Sequence, residues 1–238
     1  EKAHVVSNGW DLDEFVGSQG ERPAFSHRML SLGYIGSLAG QTPPHEFLAS
    51  LEQLLVEEPS WIGRVRVQLI GRRGPCAEEA IGAFRFPDVL EIIDHVGKRE
   101  AIRRMQENDA LLVISREGLE RYLPAKLFEY LAARRPILIF GRPGEASQLI
   151  EQLGAGVLCP PGSASALRES FLRLSSMDMS ARDTSIRDSL APPQRQELSA
   201  PAFAFLRPTA PAAPEWNRYS SSRAPRAPST PAPPSGSP

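Results

Sequence analysis

The chain has 238 residues, of which 41% are hydrophobic, and its formal net charge at pH 7 is −1. This near-neutral balance is typical of an ordinary globular protein and gives no reason to expect a nucleic-acid partner. Its apolar runs are far shorter than the ~20 residues of a membrane-spanning helix, and the first residues lack a signal-peptide core. We therefore expect no transmembrane segment and a cytoplasmic location.

The types of residue that build metal sites are scattered. Cys76 and Cys159 are isolated, and His4, His27 and His45 show no spacing suited to a shared metal ion. We expect neither a zinc site nor a disulfide framework. GxSxG and GxxxxGK[ST] motifs are absent from the sequence, which argues against the common hydrolase and NTPase chemistries.

The composition changes sharply near the C-terminus. Residues 191–238 hold 12 of the 23 prolines, with many Ala and Ser and only two acidic residues. A segment of this kind buries too little apolar surface to offset its ordering entropy. The sequence predicts a disordered tail after a folded domain at 29–190.

The folded part alternates β-prone apolar runs with amphipathic helical windows, a pattern typical of repeated βα units and a parallel sheet. The predicted strands are Met29–Ile35, Val65–Ile70, Val89–His95, Ala110–Ser115, Pro136–Phe140 and Gly156–Cys159. The predicted helices are Pro44–Val56, Cys76–Phe84, Lys98–Glu107, Pro124–Ala133, Gly144–Leu153 and Ser163–Leu174. We expect an α/β domain with a doubly wound, six-stranded parallel sheet in the order 3-2-1-4-5-6.

One stretch, 123–140, combines a short helix with an apolar strand. Pro124 suits the first helical turn, and Leu127 and Tyr130 belong to an apolar face beside Lys126 and Glu129. The two charged residues are three apart, so a solvated ion pair is the simpler interpretation. The alternative is a cation and a carboxylate beside the end of a parallel sheet, where open α/β folds bind nucleotides.

Four segments together resemble the donor-binding half of the GT-B glycosyltransferases, and most of all glycosyltransferase family 4. They are Val6–Asp11 (VSNGWD), Gly33–Ser37 (GYIGS), Asp94–Gly97 (DHVG) and Pro124–Pro136, which carries Pro-Ala-Lys-x-x-Glu-Tyr. The resemblance implies transfer of a sugar from UDP-sugar or GDP-sugar to an unknown acceptor, without a metal or another cofactor. The first segment then marks residues 1–28 as a linker remnant that follows a separate N-terminal acceptor domain.

The resemblance also implies roles for residues of the fourth segment. Glu129 matches the second Glu of the family's Glu-x7-Glu motif and would accept hydrogen bonds from the ribose. The position of the first Glu is held by Arg121, so that carboxylate is missing from its register. The N-terminal helical turn at Ala125, Lys126 and Leu127 would bind the phosphates.

The loops after the first three strands supply the other candidates. Gly36 and Ser37 would offer backbone N–H groups to phosphate, but the loop 36–42 contains no cation. Arg72, with or without Arg73, could provide the missing charge, although a solvated pair of arginines is as reasonable. The same family places the nucleotide base after the third strand, here at His95, Val96 and Gly97.

Two other functions fit the same residues. A GT-B-like sugar-nucleotide epimerase would share the sheet and the ribose carboxylate. A non-catalytic interaction module would keep the fold with an empty cleft and recruit partners through the Pro-rich tail.

Overall fold

The computed structural model describes residue 15 and residues 29–40, 42–177 and 179. The predictions of a disordered tail at 191–238 and of a linker at 1–28 concern residues outside this described part, apart from Phe15.

The described residues form a six-stranded parallel sheet with helices on both faces. The strands are β1 (Leu30–Ile35), β2 (Val65–Ile70), β3 (Leu90–Ile93), β4 (Ala110–Ile114), β5 (Ile137–Phe140) and β6 (Gly156–Cys159). The α-helices are α1 (His45–Glu57), α2 (Pro75–Ala83), α3 (Lys98–Glu107), α4 (Ala125–Ala132), α5 (Glu145–Gln152) and α6 (Ala164–Ser175). The strand order is β3-β2-β1-β4-β5-β6, which confirms the predicted topology and the predicted fold class.

Alternating side chains of the sheet divide the core in two. Leu32 and Tyr34 of β1 point to the face covered by α1 and α6, whereas Ile35 belongs to the cluster under α3, α4 and α5. Every residue of β4 and β5 is buried, as expected for central strands covered on both faces. The sheet is therefore the middle layer of three. The carboxyl ends of its parallel strands form one edge of the sheet, and the loops that follow the strands lie at this edge.

Two predicted boundaries are wrong in a way that concerns the candidate site. β3 ends at Ile93 rather than at His95, because its neighbour β2 ends at Ile70, the register partner of Ile93. His95 consequently lies in the loop that follows. Pro124 does not enter the first turn of α4 but precedes it, with an extended ψ of 138°.

None of the helices in residues 29–40 and 42–177 is long and apolar enough to cross a membrane.

Candidate functional site

A cavity of about 220 Å³ lies at the carboxyl ends of β1 and β2, beside the helices α3 and α4. Six of the predicted site residues line it: Gly36, Ser37, Arg72, His95, Val96 and Glu129. The strand order reverses between β1 and β4. Open α/β sheets bind ligands at such a switch point. The structure thus brings together residues that are almost 100 positions apart in the chain.

Two glycines form the floor of this cavity where β1 and β2 end. Gly36 has φ +144° and donates its N–H to the carbonyl of Ile70 at 2.8 Å. Gly71 has φ +132°, and a Cβ added there would lie 2.2 Å from the carbonyl oxygen of Gly36. Only glycine permits both this conformation and this close approach of the two backbones.

Glu129 is the carboxylate of the cavity. Its side chain is half-buried on the second turn of α4, at the cavity wall. Within the described residues, no group donates a hydrogen bond to this carboxylate or pairs with it. A half-buried carboxylate without an internal partner is suited to accept hydrogen bonds from a ligand.

Tyr130, the next residue, fixes the helix that carries Glu129. β1 and β4 pair only at Leu32–Gly33 and Ala110–Leu111, so the strands separate before Ile35. The Tyr130 hydroxyl accepts a hydrogen bond from the N–H of Ile35 at 2.8 Å and lies 3.2 Å from its carbonyl, to which it donates. The tyrosine thereby replaces the missing strand partner and holds α4 against the end of β1. Burial raises its pKa far above the usual range of a phenol.

Lys126 does not form the solvated ion pair that its spacing suggests. Its Nζ donates to the hydroxyl of Tyr34 at 2.5 Å and lies 3.8 Å from the centre of the Tyr34 ring. The Tyr34 hydroxyl in turn donates to the carbonyl of Ser37 at 2.8 Å and lies 3.1 Å from the hydroxyl of Thr42. Lys126 is therefore connected through Tyr34 to the loop that follows β1.

The protonation of this pair reflects its burial. Burial lowers the pKa of Lys126 to about 8, while the nearby charge of Glu129 opposes the shift. Burial also raises the pKa of Tyr34 to about 12, with an opposing contribution from the hydrogen bond to Thr42. At neutral pH the pair is consequently a neutral phenol and a lysine close to its titration range.

The two arginines after β2 have different surroundings. Arg73 is committed to structure: its guanidinium pairs with Asp94 at 2.7 Å and with Glu78 at 2.8 Å. Arg72 is exposed and lines the cavity, and in the described part of the chain no acidic side chain pairs with it. Of the two, Arg72 is the cation at the cavity wall.

The first turn of α4 offers fewer free N–H groups than the sequence suggested. Leu127 is fully buried, and its N–H donates to the carbonyl of Pro124 at 2.9 Å, so this N–H already has an acceptor in the chain and its contact with phosphate stays a prediction. Ala125 is exposed at the first helical position, where helix geometry leaves its N–H and that of Lys126 without acceptors inside the helix. Gly97 is exposed before α3 and lies outside the cavity wall.

Arg121 stands where the family motif has a carboxylate, and its guanidinium lies 3.7 Å from Glu145 on α5. The neighbouring acidic residues are engaged elsewhere, since Glu117 pairs with Arg142 at 3.3 Å and Glu120 accepts from the N–H of Gly118 at 2.9 Å. Neither carboxylate replaces the missing one at the cavity.

The sequence did not reveal the wall that α3 provides. Lys98, Ala101, Ile102 and Met105 line the cavity at helical spacing. Their periodicity predicted a helix, yet the same pattern fits any amphipathic helix that covers a sheet. The contact between Lys126 and Tyr34, which are 92 residues apart, left no local signal either.

Comparisons with solved structures show where this fold occurs. The chain is similar to the UDP-forming α,α-trehalose-phosphate synthases of Burkholderia vietnamiensis (17% identity, TM-score 0.55) and Burkholderia xenovorans (17%, 0.52). It is also similar to the Escherichia coli trehalose-6-phosphate protein bound with UDP-2-fluoro glucose (15%, 0.55). These matches cover 76%, 74% and 76% of this chain but only 45%, 44% and 45% of the three solved chains, respectively. No family model and no curated protein matches the sequence.

At such low identity these likenesses show the fold alone. The chain spans less than half of the length of the solved structures that it matches. The described domain therefore has the Rossmann-like fold of the solved structures that it matches, and at the switch point of its sheet it carries a mainly apolar cavity whose charged lining residues are Arg72, Lys98 and Glu129.

Proposed function

We propose that this domain binds a nucleoside diphosphate sugar, UDP-sugar or GDP-sugar, as the donor-binding part of a glycosyltransferase. The observation that carries the proposal is Glu129, a half-buried carboxylate that has no partner among the described residues and lies at the wall of the switch-point cavity. A carboxylate can accept hydrogen bonds from two adjacent hydroxyls, so the cis-diol of a ribose is its natural ligand.

The surrounding charge supports an anionic ligand. Arg72 and Lys98 line the cavity, and Glu129 is the single acidic side chain among the described residues of its wall. Lys126 stands behind Gly36, and the free N–H groups at the start of α4 point the positive end of a helix dipole toward the same edge. In glycosyl transfer, negative charge grows on the departing diphosphate, and such fixed positive groups stabilise it.

The other proposed contacts with the nucleotide follow from where the residues lie in the structure. Gly36 and Ser37 approach the diphosphate from the end of β1, while His95 and Val96 border the cavity from the loop after β3 and would meet the base. Ala125 contributes through its N–H, and Gly97 contributes only through the position of its loop.

The cavity is small for a complete donor substrate. Sites for ligands of this size usually enclose about 300–1,000 Å³, whereas this one measures about 220 Å³. We infer that the domain forms one wall of a cleft and that a second domain supplies the acceptor site. The acceptor, and a catalytic base for it, would belong to that second domain.

Calorimetric titration of the chain with UDP, GDP and their sugar conjugates tests the proposal. Replacement of Glu129 by Gln keeps the shape of the side chain but removes its charge. The loss of a charged hydrogen bond costs about 1.5–3 kcal/mol, so the affinity of the Glu129→Gln variant should fall roughly ten- to hundredfold. Glu169→Gln, an exposed carboxylate on α6 at the other face of the sheet, is the matched control.

A ligand change separates the ribose contact from a general electrostatic effect. The 2′,3′-dideoxy form of the same nucleotide lacks the hydroxyls, so Glu129→Gln should leave its affinity within about twofold of wild type. An equal loss for both nucleotides would refute the ribose assignment. Absence of saturable binding of every UDP and GDP ligand at millimolar concentration would refute the donor-domain proposal and favour an interaction module.

A further inference from the structure

We propose that nucleotide binding at this cavity is coupled to uptake of a proton by Lys126, with the Tyr34 hydroxyl holding the lysine beside the β1–α1 loop until the diphosphate arrives. The inference rests on the function proposed above and concerns how that site responds to pH. It assigns Tyr34, which does not line the cavity, the role of a positioning residue.

The geometry places Lys126 over the end of β1. Its backbone belongs to α4 on one face of the sheet, whereas Tyr34 belongs to the core under α1 and α6 on the other face. A Cβ built on Gly36 would lie 3.0 Å from Nζ, so the lysine occupies the space that a side chain at Gly36 would fill. Lys126 thus brings a cation to the loop 36–42, which has no cation of its own.

Among the described residues, the ammonium group of Lys126 has fewer hydrogen-bond acceptors than it has N–H donors. It has three N–H donors, yet within the described residues it donates to one neutral oxygen, that of Tyr34, and pairs with no carboxylate. A single neutral acceptor cannot offset the desolvation of an ammonium group. A diphosphate at Gly36 would supply both the missing acceptors and the opposite charge.

The direction of the pH dependence follows from a comparison of the free protein with the nucleotide-bound protein. Burial lowers the pKa of Lys126 to about 8 in the free protein, and a bound anion raises it because the charged form is favoured. Affinity is therefore highest below the pKa of the free protein and falls as the pH rises through it. With a pKa near 8, the protonated fraction falls from about three-quarters at pH 7.5 to about one-quarter at pH 8.5, so affinity should drop about threefold.

The other groups near Lys126 do not produce this signal. Tyr34 faces it from β1 with a pKa raised to about 12, and Tyr130, on its own helix, is also raised by burial. Glu129, on the same helix, contributes negative charge. Across the cavity Arg72 and Lys98 add positive charge, and His95→Gln tests the imidazole directly.

Proton uptake is measurable by titrating the full chain with the nucleotide that binds, at pH 8.5, in two buffers of different ionisation enthalpy. We expect wild type to take up about three-quarters of a proton for each nucleotide bound. Lys126→Arg keeps a permanent charge, so it should bind without uptake and show a flat affinity between pH 7.5 and 8.5. His95→Gln should retain the uptake whatever its affinity.

Tyr34→Phe tests the positioning role. It keeps the ring but removes the hydroxyl oxygen that accepts from Lys126. The free ammonium then loses its acceptor, so the pH at which affinity declines should move downward. A purely structural role would weaken binding equally at all pH values and leave this midpoint in place.

The outcomes separate the two proposals. Nucleotide binding by wild type without proton uptake, or equal uptake by Lys126→Arg, overturns the coupling and leaves the donor-domain function standing. Absence of nucleotide binding overturns both. A measurement on unmodified protein is independent of variant folding: the NMR titration of the Lys126 side chain should have its midpoint near 8, and a midpoint near the ordinary ~10.4 would overturn the inference.

Discussion

Removal of the Tyr130 hydroxyl should destabilise the domain at the point where α4 meets the sheet. In the Tyr130→Phe variant the ring still fills its place in the core, but both polar groups of Ile35 lose the partner that they have at 2.8 and 3.2 Å. Tyr130 and Ile35 are buried, so the freed N–H and C=O have no alternative partner of similar quality.

The expected magnitude follows from the two groups left unpaired. A buried polar group without a partner costs about 1–3 kcal/mol, so the loss of two partners should lower the free energy of unfolding by about 2–6 kcal/mol. For a urea m-value of about 2 kcal/mol/M, this loss moves the unfolding midpoint down by roughly 1–3 M. Urea denaturation followed by circular dichroism measures the shift.

Tyr122→Phe is the matched control. Tyr122 is 51% exposed, and its hydroxyl makes no hydrogen bond within the described residues, so the same chemical change should alter stability by less than about 0.5 kcal/mol. A Tyr130→Phe variant as stable as this control would refute the reasoning. It would mean that water reaches Ile35 and replaces the phenol.

Two further pairs of variants test neighbouring parts of the site. Arg73→Ala should lower the free energy of unfolding by about 1–2 kcal/mol, because two ion pairs and two contacts with carbonyl groups are lost. Arg72→Ala should leave stability unchanged and weaken nucleotide binding about fivefold in calorimetry. The opposite ranking of the two arginines would contradict the assignment. Gly71→Ala should cost about 3 kcal/mol or more because its Cβ would meet the Gly36 carbonyl at 2.2 Å. Gly82→Ala, in a helix with open space around it, should gain about 0.5–1 kcal/mol in thermal unfolding, and a loss there would be inconsistent with the structure.

The sequence predicted the sheet well because its signals are local. All six strands and all six helices exist with ends within two residues of the predicted ones, since hydrophobic period and turn residues act over short windows. The strand order followed from the crossover rule that applies to consecutive βα units. Six predicted residues then lie at one cavity because the carboxyl ends of parallel strands must share an edge.

The choice between adjacent residues could not be predicted in this way. Arg72 and Arg73 have the same chemistry, and only the structure shows that Asp94, on the loop after β3, pairs with Arg73. Helix α4 presented the same difficulty. Its period separated the apolar face from the polar edge, but it could not show that the N–H of Leu127 bonds to Pro124 whereas helix geometry gives the N–H of Ala125 no acceptor inside the helix.

The tertiary contact between Lys126 and Tyr34 changes how the i,i+3 pair of Lys126 and Glu129 is interpreted. An i,i+3 cation and carboxylate on an exposed helix neutralise one another weakly. Here the Lys126 ammonium lies over the end of β1 at the Tyr34 hydroxyl and makes no ion pair with Glu129, although the charge of Glu129 still acts on it. In the proposed function the two charges serve opposite ends of a nucleotide, the cation at the diphosphate and the carboxylate at the ribose. The separation depends on a phenol oxygen 92 residues away in the chain, so Tyr34→Phe should affect both ends together.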